Sequence, residues 1–283
     1  MRSRRSCLSV PAQPPRRLEK GTTLTPDEVH LDLEDSVPPA LKEDARAAVV
    51  AALGEAQWAA PTVSVRVNAR GTKWFEADLA ALAPCAERLA SVIVPKVESP
   101  DDLTEAVALL GPDGTIGVQA LIESARGLRD VDAIAEATDR LEALILGPAD
   151  MSVSLGFPSP AEGSRWDFVR GAVLVAARAA GVQAIDGPFL QISDADGLRA
   201  SAGRARELGF DGKLVLHPDQ IEPINLLFSP TPAETEQARA ILAALEDAED
   251  GAVMLDGEMI DEASRKRASA LIARAEAAEA AAR

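Results

Sequence analysis

One pattern constrains this chain more than any other. Short runs of β-branched and aliphatic residues recur eight times: SCLSV (6–10), VHLDL (29–33), TVSVRV (62–67), SVIVP (91–95), TIGVQALI (115–122), EALILG (142–147), VQAID (182–186) and KLVLH (213–217). Between them lie longer Ala-rich stretches with helical spacing, such as PALKEDARAAVVAAL and WDFVRGAVLVAARAAG; the second closes on Gly181, the residue type that ends helices. Strand–helix alternation implies parallel strands joined by helical crossovers. Eight such strands close a (β/α)8 TIM barrel, and roughly 220 residues is near its usual size. The competing doubly wound open sheet usually has roughly five or six strands and often a glycine-rich phosphate turn. No GxGxxG or GxxxxGK[ST] occurs here. The expectation is therefore an α/β chain with a (β/α)8 catalytic domain over residues 1–229.

A barrel has no need of residues 230–283. TPAETEQARAILAALEDAED has helical spacing with Thr231 as N-cap, GAVMLDGEMID is rich in Gly and Asp, and EASRKRASALIARAEAAEAAAR is a charged Ala-rich helix. Together they are expected to form a helical extension or lid that contributes to an oligomer; a solvated terminal helix is the plainer alternative.

The 283 residues carry a net charge of -16. Nucleic acid and anionic membrane surfaces need basic patches and are disfavoured as partners. A small anionic ligand held by a few Arg and Lys residues is not. The two cysteines, Cys7 and Cys85, form no CxxC or His/Cys cluster of the zinc-binding kind. The opening MRSRRSCLSVPAQPP mimics the start of a secretory leader, but its apolar run is short and broken by Pro11. No run approaches the ~18 apolar residues of a membrane span. A soluble cytoplasmic protein is expected.

In a parallel barrel the active site lies at the carboxyl ends of the strands. Polar residues gather there: Glu34 and Asp35 after the second run, Arg66 and Asn68 in and after the third, Lys96 after the fourth, Glu123 after the fifth, Asp150 in GPAD after the sixth, Asp186 at the end of the seventh and His217 at the end of the eighth. Singly each reads as a turn residue or cap; together they converge on one mouth. Carboxylates in such a set suit a hard divalent cation with oxygen ligands, and Glu123 and Asp150 end adjacent strands. Their plainer readings are a salt bridge of Glu123 to Arg126 and capping of MSVSLG by Asp150. A guanidinium inside an apolar strand is costly unless paired, so Arg66 either neutralises barrel carboxylates or binds substrate oxygens. Lys96 has the same choice, or balances Glu98. His217, before Pro218, reads more readily as a structural hydrogen-bonding residue than as a base. Asp32 and Glu34 share parity, whereas Asp35 points the other way.

The segments RSCLSVPA, VHLDLEDSV, VRVNARGTKWFEADL, VIVPKVES, ALIESARG, VQAIDG, LGFDGKLVLHPDQI and DGEMID resemble, in order and nearly end to end, the beta subunit of citrate lyase and its stand-alone relatives in the HpcH/HpaI aldolase superfamily, which includes malyl-CoA lyases. The resemblance implies a barrel, trimeric or hexameric, that binds Mg²⁺ (or Mn²⁺, which accepts the same ligands) and reversibly cleaves a 3-hydroxyacyl-CoA such as citryl-CoA or malyl-CoA to acetyl-CoA and a 2-oxo acid, oxaloacetate or glyoxylate. It makes Glu123 and Asp150 metal ligands, Arg66 a binder of substrate oxygens, and Glu34 and Asp35 partners of metal-bound water. It makes Asp261 an acid/base residue that reaches a neighbouring subunit's site. It places Arg5, Ser6, Lys20 and His217 where relatives hold CoA. The GPAD segment puts Pro148 and Ala149 against the substrate carboxylate. Two alternatives stay open: a metal-dependent aldolase acting on free 2-oxo acids, and a subunit of a multi-subunit lyase that depends on an acyl-carrier partner.

This chain departs from the family pattern twice. Relatives read GAED where it reads GPAD, so Ala149 replaces a glutamate and Pro148 removes a backbone N–H donor. The loop after the first run, PAQPPRRLEKGTTLTPDEV, lacks the glycine that relatives carry after the proline.

Overall fold

In the computed structural model, residues 2–111, 114–158, 163–246 and 252–281 are described. Eight parallel strands close into a barrel in sequence order: β1 (Ser6–Pro11), β2 (Glu28–Asp32), β3 (Thr62–Arg66), β4 (Ser91–Val94), β5 (Gly117–Ile122), β6 (Leu141–Leu146), β7 (Gln183–Asp186) and β8 (Gly212–Val215). β8 closes on β1, with Ser6 opposite Lys213 and Leu8 opposite Val215. Each expected strand is present, with ends displaced by a residue or two. Helices follow the strands, as the (β/α)8 reading requires. PALKEDARAAVVAAL becomes a 3-10 turn, Pro39–Leu41, and the helix Lys42–Glu55. WDFVRGAVLVAARAAG becomes the helix Asp167–Ala179, after which Gly181 takes φ 72°.

Alternation along each strand sorts side chains between the barrel interior and the outer face. On β2, Glu28, His30 and Asp32 share the inner parity, while Val29 and Leu31 share the outer one; all five are buried. The interior is layered, as small barrels are. Near the amino ends of the strands lies a polar layer: Arg4 and Gln119 donate to Glu28 (Arg4 Nε at 2.5 Å, Gln119 Nε2 at 2.7 Å), Ser64 Oγ also donates to it, and Gln119 Nε2 donates to Ser91 Oγ at 2.8 Å. Cys7, Ile93, Leu121, Ala143, Ile145 and Ile185 form an apolar cluster in the core, with Leu214 packed against it.

The chain divides into two compact units, Arg4–Asn225 and a second formed by residues 1–3 with Leu226–Arg283. In the second, the helix Pro232–Glu246 starts on a reciprocal cap: Glu234 N–H donates to Thr231 Oγ1 at 3.2 Å, and Thr231 N–H to Glu234 Oε2 at 2.7 Å. A hairpin of β9 (Val253–Leu255) and β10 (Glu258–Ile260) leads to the helix Glu262–Ala281. Among the described residues, no helix is long and apolar enough to cross a membrane.

Candidate active site

The carboxyl ends of β2 to β6 place a charged cluster at the barrel mouth. Arg66 Nε and Nη2 donate to the two oxygens of Asp32 at 2.7 and 2.6 Å, a bidentate fork on the neighbouring strand, and Nη1 lies 3.1 Å from Glu34 Oε2. Asp32 and Glu34 thus face the site together, as their shared parity requires. Asp35 is exposed and reaches it only through Lys96, whose ammonium lies 2.5 Å from Glu34 Oε1 and 3.3 Å from Asp35 Oδ1. Lys96 stands in the left-handed region, φ 55°, which a non-glycine residue adopts at some cost. That turn aims its backbone N–H at Glu123 Oε1, 2.8 Å away.

Glu123 is buried and is not paired with Arg126, whose guanidinium lies 3.9 Å from Glu98 instead. Burial, followed by repulsion from Glu34, pushes its carboxyl up to about 8; Asp150 adds to the rise, and the Lys96 N–H only partly offsets it. Glu34 is likewise raised, by burial first, against the lowering effect of Arg66. Asp150 lies in the first turn of the helix Pro148–Ser154, exposed, with Gly147 rather than Asp150 at the cap position. Gly147 is required here because a Cβ on it would meet Glu123 Cβ at 2.6 Å and Oε2 at 2.7 Å. On Gly187, after β7, a Cβ would meet Pro148 Cδ at 2.3 Å, so the proline of GPAD fits only beside a glycine.

A buried carboxylate short of positive charge, next to an exposed one on the adjacent strand end, is a donor set that a divalent cation completes: hard oxygen ligands with room for water and substrate. The residues present therefore fit Mg²⁺ at Glu123 and Asp150. Beneath them Arg66, His30 and Ser9 line an interior cavity of about 130 Å³ whose other walls include Ile93, Leu121, Pro148 and Ala149.

Other expected site residues have partners of their own. Asp186 ends β7 on the outer parity, fully buried, where it accepts from Lys213 Nζ at 2.5 Å and Arg170 Nε at 3.0 Å; it braces strand against helix and is absent from the mouth. Asn68 donates to Asp78 through Nδ2, at 2.6 Å. Arg5 and Ser6 open β1 at the opposite, amino-terminal rim, about 20 Å of strand from the mouth. There Arg5 Nε and Nη2 donate to Asp27 at 2.8 and 2.7 Å, and Ser6 Oγ accepts from Asp27 N–H. Lys20 is exposed in the helix Arg16–Thr22 that leaves β1 on the mouth side, and Arg16 and Arg17, which no sequence motif marks, are exposed beside it. His217 follows β8 and caps a 3-10 turn, its Nδ1 accepting from Asp219 N–H at 3.3 Å. Asp261, in the C-terminal unit, caps the helix Glu262–Ala281, its Oδ1 accepting from the N–H groups of Ala263 and Ser264. His30 is also absent from the residues that strand-end position singles out. Its one sequence signal is parity, since it sits two residues before Asp32 on the same strand.

Comparison with known proteins agrees with the barrel fold. Residues 5–218 match the family model described as HpcH/HpaI aldolase/citrate lyase. An L-malyl-CoA/beta-methylmalyl-CoA lyase of Cereibacter sphaeroides is 34% identical over 303 residues, covering 97% of this chain and 95% of that protein. A (3S)-malyl-CoA thioesterase of the same species is 37% identical over 276 residues, covering 96% and 95%. Among solved structures, the protein CitE of Mycobacterium tuberculosis in complex with magnesium, acetoacetate and coenzyme A superposes with a TM-score of 0.77 at 33% identity, over 96% of this chain and 97% of that one. By its fold and this match over most of its length, the chain belongs to the HpcH/HpaI aldolase/citrate lyase family.

Proposed function

We propose that this protein is a Mg²⁺-dependent carbon–carbon lyase that reversibly cleaves a 3-hydroxyacyl-CoA, of the citryl-CoA or malyl-CoA kind, to acetyl-CoA and a 2-oxo acid. The observation that carries the reading is Glu123: a buried carboxylate held by one backbone N–H, beside Asp150 and above a cavity lined by Arg66. Family membership and the ligands of the M. tuberculosis structure support it.

Glu123 and Asp150 would hold the cation, which supplies Lewis acidity toward the hydroxyl and carboxylate oxygens of the oxo-acid half. Arg66, fixed by its fork on Asp32, presents guanidinium charge to the thioester oxygen, where an enolate develops as the bond breaks. Lys96 holds Glu34 and Asp35 in place and braces Glu123 through its backbone. Asp261 supplies the proton for the enolate carbon, from the C-terminal extension of a neighbouring subunit in a homotrimer or hexamer. With Arg5 and Ser6 at the far rim, Arg16, Arg17 and Lys20 are the cations that hold CoA phosphates on the mouth side.

The test is an assay of malyl-CoA and citryl-CoA that reads 2-oxo acid and free CoA thiol separately, with and without EDTA. Metal-dependent oxo-acid release is expected. Release of thiol without oxo acid makes the chain a hydrolase, and full activity in EDTA removes the metal. Condensation of oxo acids with acetaldehyde but not with acetyl-CoA identifies a CoA-independent aldolase. Turnover only on an acyl-carrier thioester identifies a carrier-dependent subunit.

A further inference from the structure

Breaking the carbon–carbon bond of a 3-hydroxyacyl thioester requires a base for the hydroxyl proton, and no carboxylate of the mouth lines the cavity that holds Arg66. Asp32 and Glu34 are engaged by Arg66, Lys96 ties Glu34 to Asp35, and Glu123 and Asp150 suit the metal. Of the three polar residues lining the cavity, Arg66 has no acceptor and the hydroxyl of Ser9 is a weak base. The remaining one is His30.

His30 is 4% exposed on the inner face of β2, one layer below Asp32 and one above Glu28. Its Nε2 lies 3.6 Å from Glu28 Oε1, enclosed and without a hydrogen-bond partner. Glu28 already accepts from Arg4, Ser64 and Gln119, as an ionised carboxylate does. A carboxylate only accepts, so it favours the ring tautomer that carries its hydrogen on Nε2. The lone pair then lies on Nδ1, on the other edge of the ring. This is the arrangement of a carboxylate-oriented imidazole base, built beneath the guanidinium that would meet the developing charge.

We propose that His30, positioned by Glu28, is the base that takes the 3-hydroxyl proton during cleavage and returns it during condensation; the inference rests on the lyase reading above. Nδ1 bonds the proton as the O–H bond breaks. The freed oxygen pair closes the carbonyl of the 2-oxo acid, and the carbon–carbon pair moves onto the thioester as an enolate, with its oxygen at Arg66. Asp261 protonates the enolate carbon. His30 then yields its proton to solvent and Asp261 regains one, so the cycle closes without an oxidant or reductant.

Two measurements test this. The chain has only two histidines, His30 and His217, so ¹⁵N-histidine spectra are simple, and His30→Asn identifies the His30 signals. In the metal-free protein, at a pH where the His30 ring is neutral, its hydrogen is expected on Nε2, with the lone pair on Nδ1. A neutral ring with its hydrogen on Nδ1 overturns the assignment whatever the enzyme's activity. In the Mg²⁺-loaded enzyme, His30→Asn and His30→Phe are expected to lower kcat by about 100- to 10,000-fold. Mg²⁺ affinity by calorimetry should stay unchanged, and imidazole should restore part of the activity of His30→Ala. If the wild-type chain cleaves no hydroxyacyl-CoA, the lyase reading falls and takes the hydroxyl base with it. If it cleaves and the His30→Phe or His30→Asn enzyme matches it, only the base assignment falls. Loss of Mg²⁺ binding together with activity in every His30 variant, without imidazole rescue, marks a structural residue and also overturns the proposal.

Discussion

Glu28 near the floor of the barrel and Glu123 at its mouth are 0% and 5% exposed, and burial opposes the charge of both. They respond in opposite directions. At Glu28 the cost of burial is outweighed above all by Arg4, with the Ser64 hydroxyl adding to it, and its carboxyl falls well below the ordinary range. At Glu123 burial is reinforced by Glu34 and Asp150 and relieved only in part by one backbone N–H and by Arg66, so its carboxyl rises to about 8. The same residue type, in the same barrel, is saturated at one end and left wanting a cation at the other. Burial is nearly the same at the two positions, so the surrounding charges set the direction in which each carboxyl moves.

The comparison breaks most visibly at the floor. Glu28→Ala leaves Arg4 buried without its main counter-charge and is expected to cost ~3–5 kcal/mol in denaturant unfolding; a loss within experimental error would show that the floor network is dispensable. Glu123→Gln is expected to do the reverse, leaving metal-free stability intact or improved. Its Mg²⁺ affinity in calorimetry should fall by at least about 100-fold, the upper end of what losing even an outer-shell partner costs.

The pH dependence sharpens the contrast. Between the ordinary glutamate value of about 4.3 and the raised value of about 8, the native state holds a proton on Glu123 that the unfolded chain has released. Stability of the metal-free protein should therefore fall as pH rises through that window, and Glu123→Gln should flatten the slope. Cation binding must displace that proton, so Mg²⁺ affinity should drop roughly tenfold for each pH unit below about 8, a trend that calorimetry over a pH series would check. Gly147→Ala is the gentlest intervention. It should displace the Glu123 side chain, weaken Mg²⁺ binding about tenfold and lower the thermal unfolding temperature by a few degrees, because the new Cβ meets Glu123 at its Cβ.

Much of this is legible in the residues. The period of the apolar runs marks all eight strands, and a carboxylate closing one run beside a carboxylate after the next marks Glu123 and Asp150 as a pair. Shared parity places Asp32 and Glu34 on one side, and both reach Arg66. The differences between expectation and structure come from face and end. Asp186 closes a strand as Glu123 does, yet its parity turns it outward to Arg170 and Lys213. Arg5 and Ser6 belong to a motif near the start of β1, which is the wrong end of a parallel strand for the mouth. His30 is hidden because an isolated histidine in an apolar run looks like core until its neighbours are known.

The residues alone set the local and repeating features: strand period, helix caps at Thr231 and Gly181, the count of eight and the residue types at each strand end. These come from backbone sterics and side-chain alternation, which act over a few residues. Which charges compensate one another follows from the closed barrel. Arg4 meets Glu28 and Arg66 meets Asp32, while Glu123 meets one N–H from a left-handed Lys96. Charge compensation depends on distance and burial, and barrel closure sets both between residues far apart in the chain.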